Sequence, residues 1–137
     1  MMCSGDKLPQ NVRGIIDDCG YTSVWDELSG EIQNQFSLPP RPLMDIASQL
    51  CQWRYGWNFK EASALSQVRK STLPMLFIHG DKDTYVPTWM VYTLYEAKTK
   101  GYKRIYIAKG TEHAFSYRDH QEDYRHEVET FINKTIN

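Results

Sequence analysis

Apolar residues fall in short, separated groups along the chain, and their spacing predicts the elements. Val12 to Cys19 (VRGIIDDC) reads as a strand ending in Asp17, Asp18 and Cys19. Ser23 and Asp26 form an S-x-x-D capping box. Val24, Leu28, Ile32 and Phe36 then recur every four residues as the apolar stripe of a helix, which Pro39, Pro40 and Pro42 end. Leu43, Ile46, Ala47 and Leu50 predict a second helix, running towards Trp53, Tyr55 and Trp57. A third, starting near Asn58, would present Ala62, Leu65 and Val68. Met75 to Ile78, entered through Pro74 and closed by His79-Gly80, is a run short enough for a strand buried on both faces.

The remainder is regular. Met90, Val91, Leu94 and Tyr95 predict a helix ended by Gly101, and Arg104 to Ala108 (RIYIA) a third strand. Lys109 to Tyr117 is a loop containing His113. Asp119 and Glu122 would cap a last helix that buries Tyr124, Val128, Phe131 and Ile132. Met1 to Leu8 reads as the end of a helix closed by Gly5. The order β, helices, β, α, β, α predicts one α/β domain over residues 1–137 with a parallel three-stranded sheet. About 50 residues separate the first two strands, far more than a crossover needs. Residues 20–72 are therefore expected to form an inserted helical lid.

Composition changes this picture little. A chain of 137 residues can bury a core as one domain. With 24% charged residues and a net charge of −1, no basic surplus points to nucleic acid. Three cysteines, odd in number and without C-x-x-C spacing, suit free thiols in a reducing, cytoplasmic compartment. No apolar run approaches the ~20 residues of a membrane span.

Three polar clusters fall at predicted strand ends: Asp17-Asp18-Cys19, Asp81 with Asp83, and Glu112-His113. Right-handed crossovers would bring these ends to one edge of the sheet, where open α/β sheets collect catalytic groups. An acid after one strand and a histidine after the next are two members of a nucleophile–base–acid triad. Each residue also has a plainer reading. Asp83 would cap the helix opening near Pro87, Asp81 would form the turn, and His79 would hold it. His113 would be an exposed loop residue, and His120 and His126 solvated helix residues. Asp17 and Asp18 would cap and anchor, or one of them would be an alternative acid. Cys19 reads as a buried structural thiol, since nothing flanking it makes an elbow or lowers its pKa. Tyr21, Trp25, Trp53, Tyr55 and Trp57 would line an acyl pocket or pack lid on sheet.

H-G-D-K-D-T-Y-V-P (79–87), followed by a third strand and G-T-E-H-A-F (110–115), resembles the carboxyl-terminal portion of an α/β-hydrolase. There the acid loop reads H-G-x-x-D-x-x-V-P. G-Y-T-S-V-W-D and F-K-E-A-S-A-L resemble bacterial members of the esterase-like branch. The resemblance implies a serine hydrolase acting on small carboxylic esters, or amides, through an acyl-enzyme. Asp83 would be the catalytic acid and His113 the base, with no cofactor and no metal. The family nucleophile sits in G-x-S-x-G ahead of the acid and the histidine. Neither G-x-S-x-G nor G-x-C-x-G occurs in these residues. By the resemblance, the elbow runs into a helix matching Met1 to Gly5, which places the serine about two helical turns before Met1. The oxyanion-hole amides would precede it too. The true amino terminus is thus expected to be missing and the chain to be inactive alone.

Two other readings stand beside this one. A catalytically silent α/β fragment could serve as an assembly or binding module. D-x-D-x-T at Asp81, Asp83 and Thr84 also satisfies part of the haloacid-dehalogenase phosphatase signature, although His79-Gly80 intervene after the strand. With earlier strands absent, Val12–Cys19 would be an edge strand, which predicts self-association as a homodimer.

Overall fold

The computed structural model describes residues 8–136, so Cys3 and nearly all of the helix end expected over Met1–Leu8 lie outside the described residues. The described residues form one parallel sheet of three strands, β1 (Ile15–Asp18), β2 (Met75–Gly80) and β3 (Lys103–Ala108), in the order β1-β2-β3. Register pairs Ile15 with Met75 and Met75 with Lys103. The central strand β2 is buried along its whole length, as a continuous apolar run predicts.

Alternation along β2 divides the core between two faces. Met75 and Phe77 pack with Ala64 and Val68 of α3 (Ala64–Lys70) and with Val91 and Leu94 of α4 (Trp89–Ala97). Leu76 and Ile78 pack with Phe131 of α6 (Gln121–Ile136), flanked by Tyr102, Tyr106, Tyr124 and Val128. Full burial of each such side chain contributes roughly 1.5–3 kcal/mol, so the sheet is held rigidly where its ends carry the polar clusters.

Between β1 and β2 the chain makes an excursion through α1 (Val24–Phe36) and α2 (Leu43–Tyr55). Ser23 caps α1 as its sequence predicts, its Oγ accepting from the Asp26 amide at 3.0 Å. The Asp26 carboxylate completes no box; it accepts from the Thr22 hydroxyl at 2.6 Å. The two ends of the excursion are stitched together, Val24 N to Ala62 O and Leu65 N to Thr22 O, both at 3.0 Å.

Several expected boundaries and faces shift. β1 is shorter than Val12–Cys19, because the Val12 amide closes a turn onto Pro9 O at 3.0 Å. The third helix begins at Ala64 rather than near Asn58. Asn58 Oδ1 accepts from the Lys60 and Glu61 amides, making a turn, and Ser63 then caps α3. With Ala64 and Val68 buried against the sheet, α3 is the crossover helix and only α1–α2 is surplus. Among the described residues the stripe of α1 covers no core, and α2 buries Met44 and Ser48 while Leu43, Ile46 and Leu50 stay exposed. α5 (Ser116–Asp119) precedes α6, and Asp119 pairs with Arg118 instead of capping. Ile132 is exposed, whereas Phe131 is buried. No helix among the described residues is long and apolar enough to cross a membrane.

Asp17 is the costly residue of β1. It is 5% exposed, its Oδ2 has no hydrogen-bond partner among the described residues, and a Cβ at Gly20 would stand 2.1 Å from its Oδ1. Burial pushes its pKa up to about 6. The folded chain therefore holds this proton more tightly than the unfolded chain. The stabilisation is complete below the unfolded value near 4 and is lost as pH rises through about 6. Asp17→Asn keeps the shape and removes the ionisation. From pH 4 to pH 7 the variant should gain on the parent chain by on the order of 3 kcal/mol in urea unfolding. An unchanged difference across that range would contradict the burial argument.

Candidate active site

Asp83 lies in the turn after β2, and the turn is built around its carboxylate. Oδ1 accepts from the amides of Tyr85 (3.0 Å) and Val86 (2.8 Å). Oδ2 accepts from His113 Nδ1 at 2.8 Å, and His79 Nε2 lies 3.2 Å from the same oxygen. A carboxylate oxygen only accepts, so Nδ1 of His113 carries the ring proton and Nε2 is left as the basic nitrogen. The acid side chain is fully buried and the imidazole 35% exposed, so one partner is fixed and the other is open to solvent. Asp83 pairs with His113 through Oδ2, while Oδ1 holds the turn before α4 and does not cap that helix, whose N-cap Thr88 makes no side-chain cap.

The rest of the turn keeps this pair in place. His79 is buried, and its Nε2–H donates to Val86 O at 2.9 Å, tying the strand to the turn. Asp81 Oδ1 accepts from the Gly110 amide at 2.6 Å, joining the acid turn to the histidine loop. Gly80 lets the two backbones touch, since a Cβ there would stand 2.2 Å from Thr111 O. His120 donates from Nε2 to Lys109 O at 2.8 Å at the base of the same loop, and His126 is exposed on α6.

The cluster at the end of β1 divides. Asp18 turns to the surface and accepts from the Tyr124 hydroxyl at 3.0 Å, and Asp17 is buried as described. The acid bonded to His113 is thus Asp83. Cys19 stands at the site, which its sequence context gave no reason to expect. Its Sγ accepts from the Ala114 amide at 3.3 Å, and one ligand atom each of Cys19, Asp83 and His113 lie within 4.8 Å of one another. Burial pushes the Cys19 thiol up to about 12, so it is a protonated thiol at neutral pH. Cys19 (φ 55°) and Ala114 (φ 61°) both adopt the left-handed region that side chains disfavour, a strain held by their mutual contact.

Residues not singled out in the sequence complete the surroundings. The Tyr85 ring centroid is 5.0 Å from that of His113. Thr84, Tyr85, Glu112, His113 and Phe115 line a hollow of about 350 Å³. A larger groove of about 610 Å³ runs between α1 (Glu31, Asn34, Gln35) and the acid turn (Asp83, Thr84, Tyr85, Pro87). Glu27 of α1 is raised to about 7 by burial and then by the like charge of Glu31. The expected aromatic set is split. Trp53, Tyr55 and Trp57 line an apolar hollow of about 600 Å³ on α2 whose lining includes neither Asp83 nor His113. Trp53 is 82% and Tyr55 70% exposed, so they do not pack onto the sheet. Trp25 is half-buried beneath Lys60 and Arg41, and Tyr21 is half-buried.

The fold has counterparts among known proteins. The prolyl oligopeptidase family profile matches residues 43–137. The uncharacterized protein YqkD of Bacillus subtilis (strain 168) is 36% identical over 117 residues, 85% of this chain and 38% of that protein. Among solved structures, the acylaminoacyl peptidase of Pyrococcus horikoshii superposes with a TM-score of 0.67 at 18% identity, over 93% of this chain and 20% of that one. An esterase of Pyrococcus furiosus gives 0.64 at 16% identity, over 93% of this chain and 46% of the esterase. The sheet and its flanking helices are those of an α/β-hydrolase, and the chain spans less than half the length of each of these relatives.

Proposed function

The chain belongs to the prolyl oligopeptidase family, and from that premise we propose that it supplies the base and the acid of a serine hydrolase. The observation that carries the reading is the 2.8 Å hydrogen bond from His113 Nδ1 to the buried Asp83 carboxylate. That bond fixes the tautomer in which Nε2 is free to accept a proton. The nucleophile is assigned to a G-x-S-x-G outside these 137 residues, which contain none.

In the proposed reaction, His113 Nε2 takes the proton of the serine hydroxyl as its oxygen attacks the substrate carbonyl carbon. The tetrahedral intermediate collapses when the imidazolium returns that proton to the leaving alcohol, leaving the acyl-enzyme. Water repeats the sequence and frees the acid. Asp83 stays ionised throughout and stabilises the imidazolium. The substrate class is a small carboxylic ester, with an amide as the second choice, since the fold is shared with an esterase and with a peptidase. The excursion through α1 and α2 acts as a lid, its α1 edge forming one wall of the groove at Asp83. The Trp53–Trp57 hollow is assigned to acyl groups only in a conformation that brings α2 over His113. The 137 residues alone are expected to be inactive.

Proton NMR of this chain tests the pairing. A strongly downfield proton on His113 Nδ1 is expected, and Asp83→Ala should abolish it. A proton found on Nε2 instead would remove the base assignment.

The edge of β1 supports a second proposal, concerning assembly. β1 has a partner on one side only within the described sheet, and Ile16 is 41% exposed. An unpaired edge templates pairing, so this chain is expected to sediment as a two-fold dimer at micromolar concentration, and Ile16→Lys to return it to monomer. A monomeric parent chain would overturn the proposal.

A further inference from the structure

The fold gathers three residues whose spacing in the sequence gives no metal motif. Cys19 follows β1, Asp83 follows β2 and His113 lies in the loop after β3, so a parallel sheet brings one sulfur, one oxygen and one nitrogen donor to a single point. Their ligand atoms all lie within 4.8 Å of one another. A tetrahedral zinc with bonds of ~2.0–2.3 Å sets its donors ~3.3–3.8 Å apart, so a contraction of about 1 Å at the widest pair closes the set. The Asp83 side chain is fully buried and the His113 ring 35% exposed, so a turn of the His113 side chain is the movement that closes the set.

The donor chemistry is that of zinc rather than of magnesium or calcium. A thiolate, an imidazole and a carboxylate are a mixed soft and borderline set, and three protein ligands leave a fourth position for water. The Ala114 amide already points at Cys19 Sγ from 3.3 Å and would remain as a donor to a metal-bound thiolate. Asp18 Oδ1, 3.4 Å from the same sulfur, adds negative charge beside the entering cation. Binding expels the thiol proton to solvent, and the His113 ring proton moves from Nδ1 to Nε2.

We propose that Cys19, Asp83 and His113 form a binding site for a thiophilic divalent cation of the zinc type. Occupancy has a consequence that rests on the catalytic reading above. Nδ1 is the ring nitrogen facing Asp83, and once it ligates the metal, a neutral ring must carry its proton on Nε2. A His113 held so cannot accept the serine proton. The metal would therefore lock the hydrolase off, reversibly, without touching the nucleophile.

The test uses this chain with Cys3→Ala and Cys51→Ala, so that Cys19 is the one remaining thiol, and Co²⁺ as the probe. One Co²⁺ per chain should bind, with a thiolate-to-cobalt charge-transfer absorption and tetrahedral ligand-field bands, and Zn²⁺ should displace it. Cys19→Ala should abolish the charge-transfer band. His113→Ala, a loop change that spares the core, should weaken binding by more than the ~10–100-fold typical of losing an outer-shell partner. A band that persists without Cys19, a band indifferent to His113→Ala, or no band at all would overturn the site. Chelatable inhibition of a nucleophile-bearing form, relieved by Cys19→Ala, extends the proposal to regulation. Stoichiometric binding without inhibition would support the site and count against His113 as the base.

Discussion

In a protein that joins these residues to a nucleophile elbow, His113→Ala should lower kcat on an activated short-chain ester by about 10⁶, with KM little changed. The imidazole is the only group of the described dyad that moves a proton in the proposed reaction, so its loss removes the acceleration made in the transition state alone. Asp83→Asn should cost about 10⁴. An asparagine keeps an oxygen for the Tyr85 and Val86 amides, so the turn survives. Its amide group facing His113 then donates instead of accepting, which turns the ring to the tautomer with Nε2 protonated. The pH profile separates the two variants from simple misfolding. Asp83→Asn should recover partial rate at alkaline pH, whereas His113→Ala should not. Equal rates for parent and variants would mean that another residue serves as base.

Gly80→Ala should be strongly damaging for the addition of a single methyl group. The added Cβ would stand 2.2 Å from Thr111 O and 2.8 Å from Thr111 C, both backbone atoms that no rotamer change can move aside. Overpacking of this kind costs roughly 1–3 kcal/mol, with this contact at the upper end. The damage would not stop at stability. Lys82 N donates to Thr111 O at 3.0 Å and the Thr88 hydroxyl to Gly80 O at 2.9 Å, so the acid turn and the histidine loop share this contact. Forcing them apart lengthens the Asp83–His113 bond, and a 1 Å misplacement typically costs ~10² in rate. Urea unfolding should show a lower midpoint with unchanged slope. A Gly80→Ala chain as stable as the parent would show that the two loops are not in rigid contact.

Much of the framework was legible because its signals are local. Ser23 marks the start of α1 and Pro39 follows its end, and the buried run Met75–Ile78 is the sheet's centre. Strand-end position and motif single out Asp83 and His113, and the structure bonds these two side chains to each other. What a helix stripe packs against was not legible. Periodicity reports that Leu28, Ile32 and Phe36 share a face, and nothing in it says that the face meets no core among the described residues. The start of α3 was missed because Asn58 closes its own turn, a local competition that an apolar count does not register. Cys19 was invisible as a site residue for a different reason. Its importance comes from being brought beside Ala114 and His113 by the parallel sheet, a contact between distant parts of the chain.

The measurement that bears most directly on the central claim is the rate of fluorophosphonate labelling in a nucleophile-bearing form, with and without His113. The account predicts stoichiometric labelling of one serine, in a G-x-S-x-G, slowed by several orders of magnitude in His113→Ala, and no labelling of the 137 residues alone. Labelling of a serine within these residues, or labelling indifferent to His113→Ala, would contradict it.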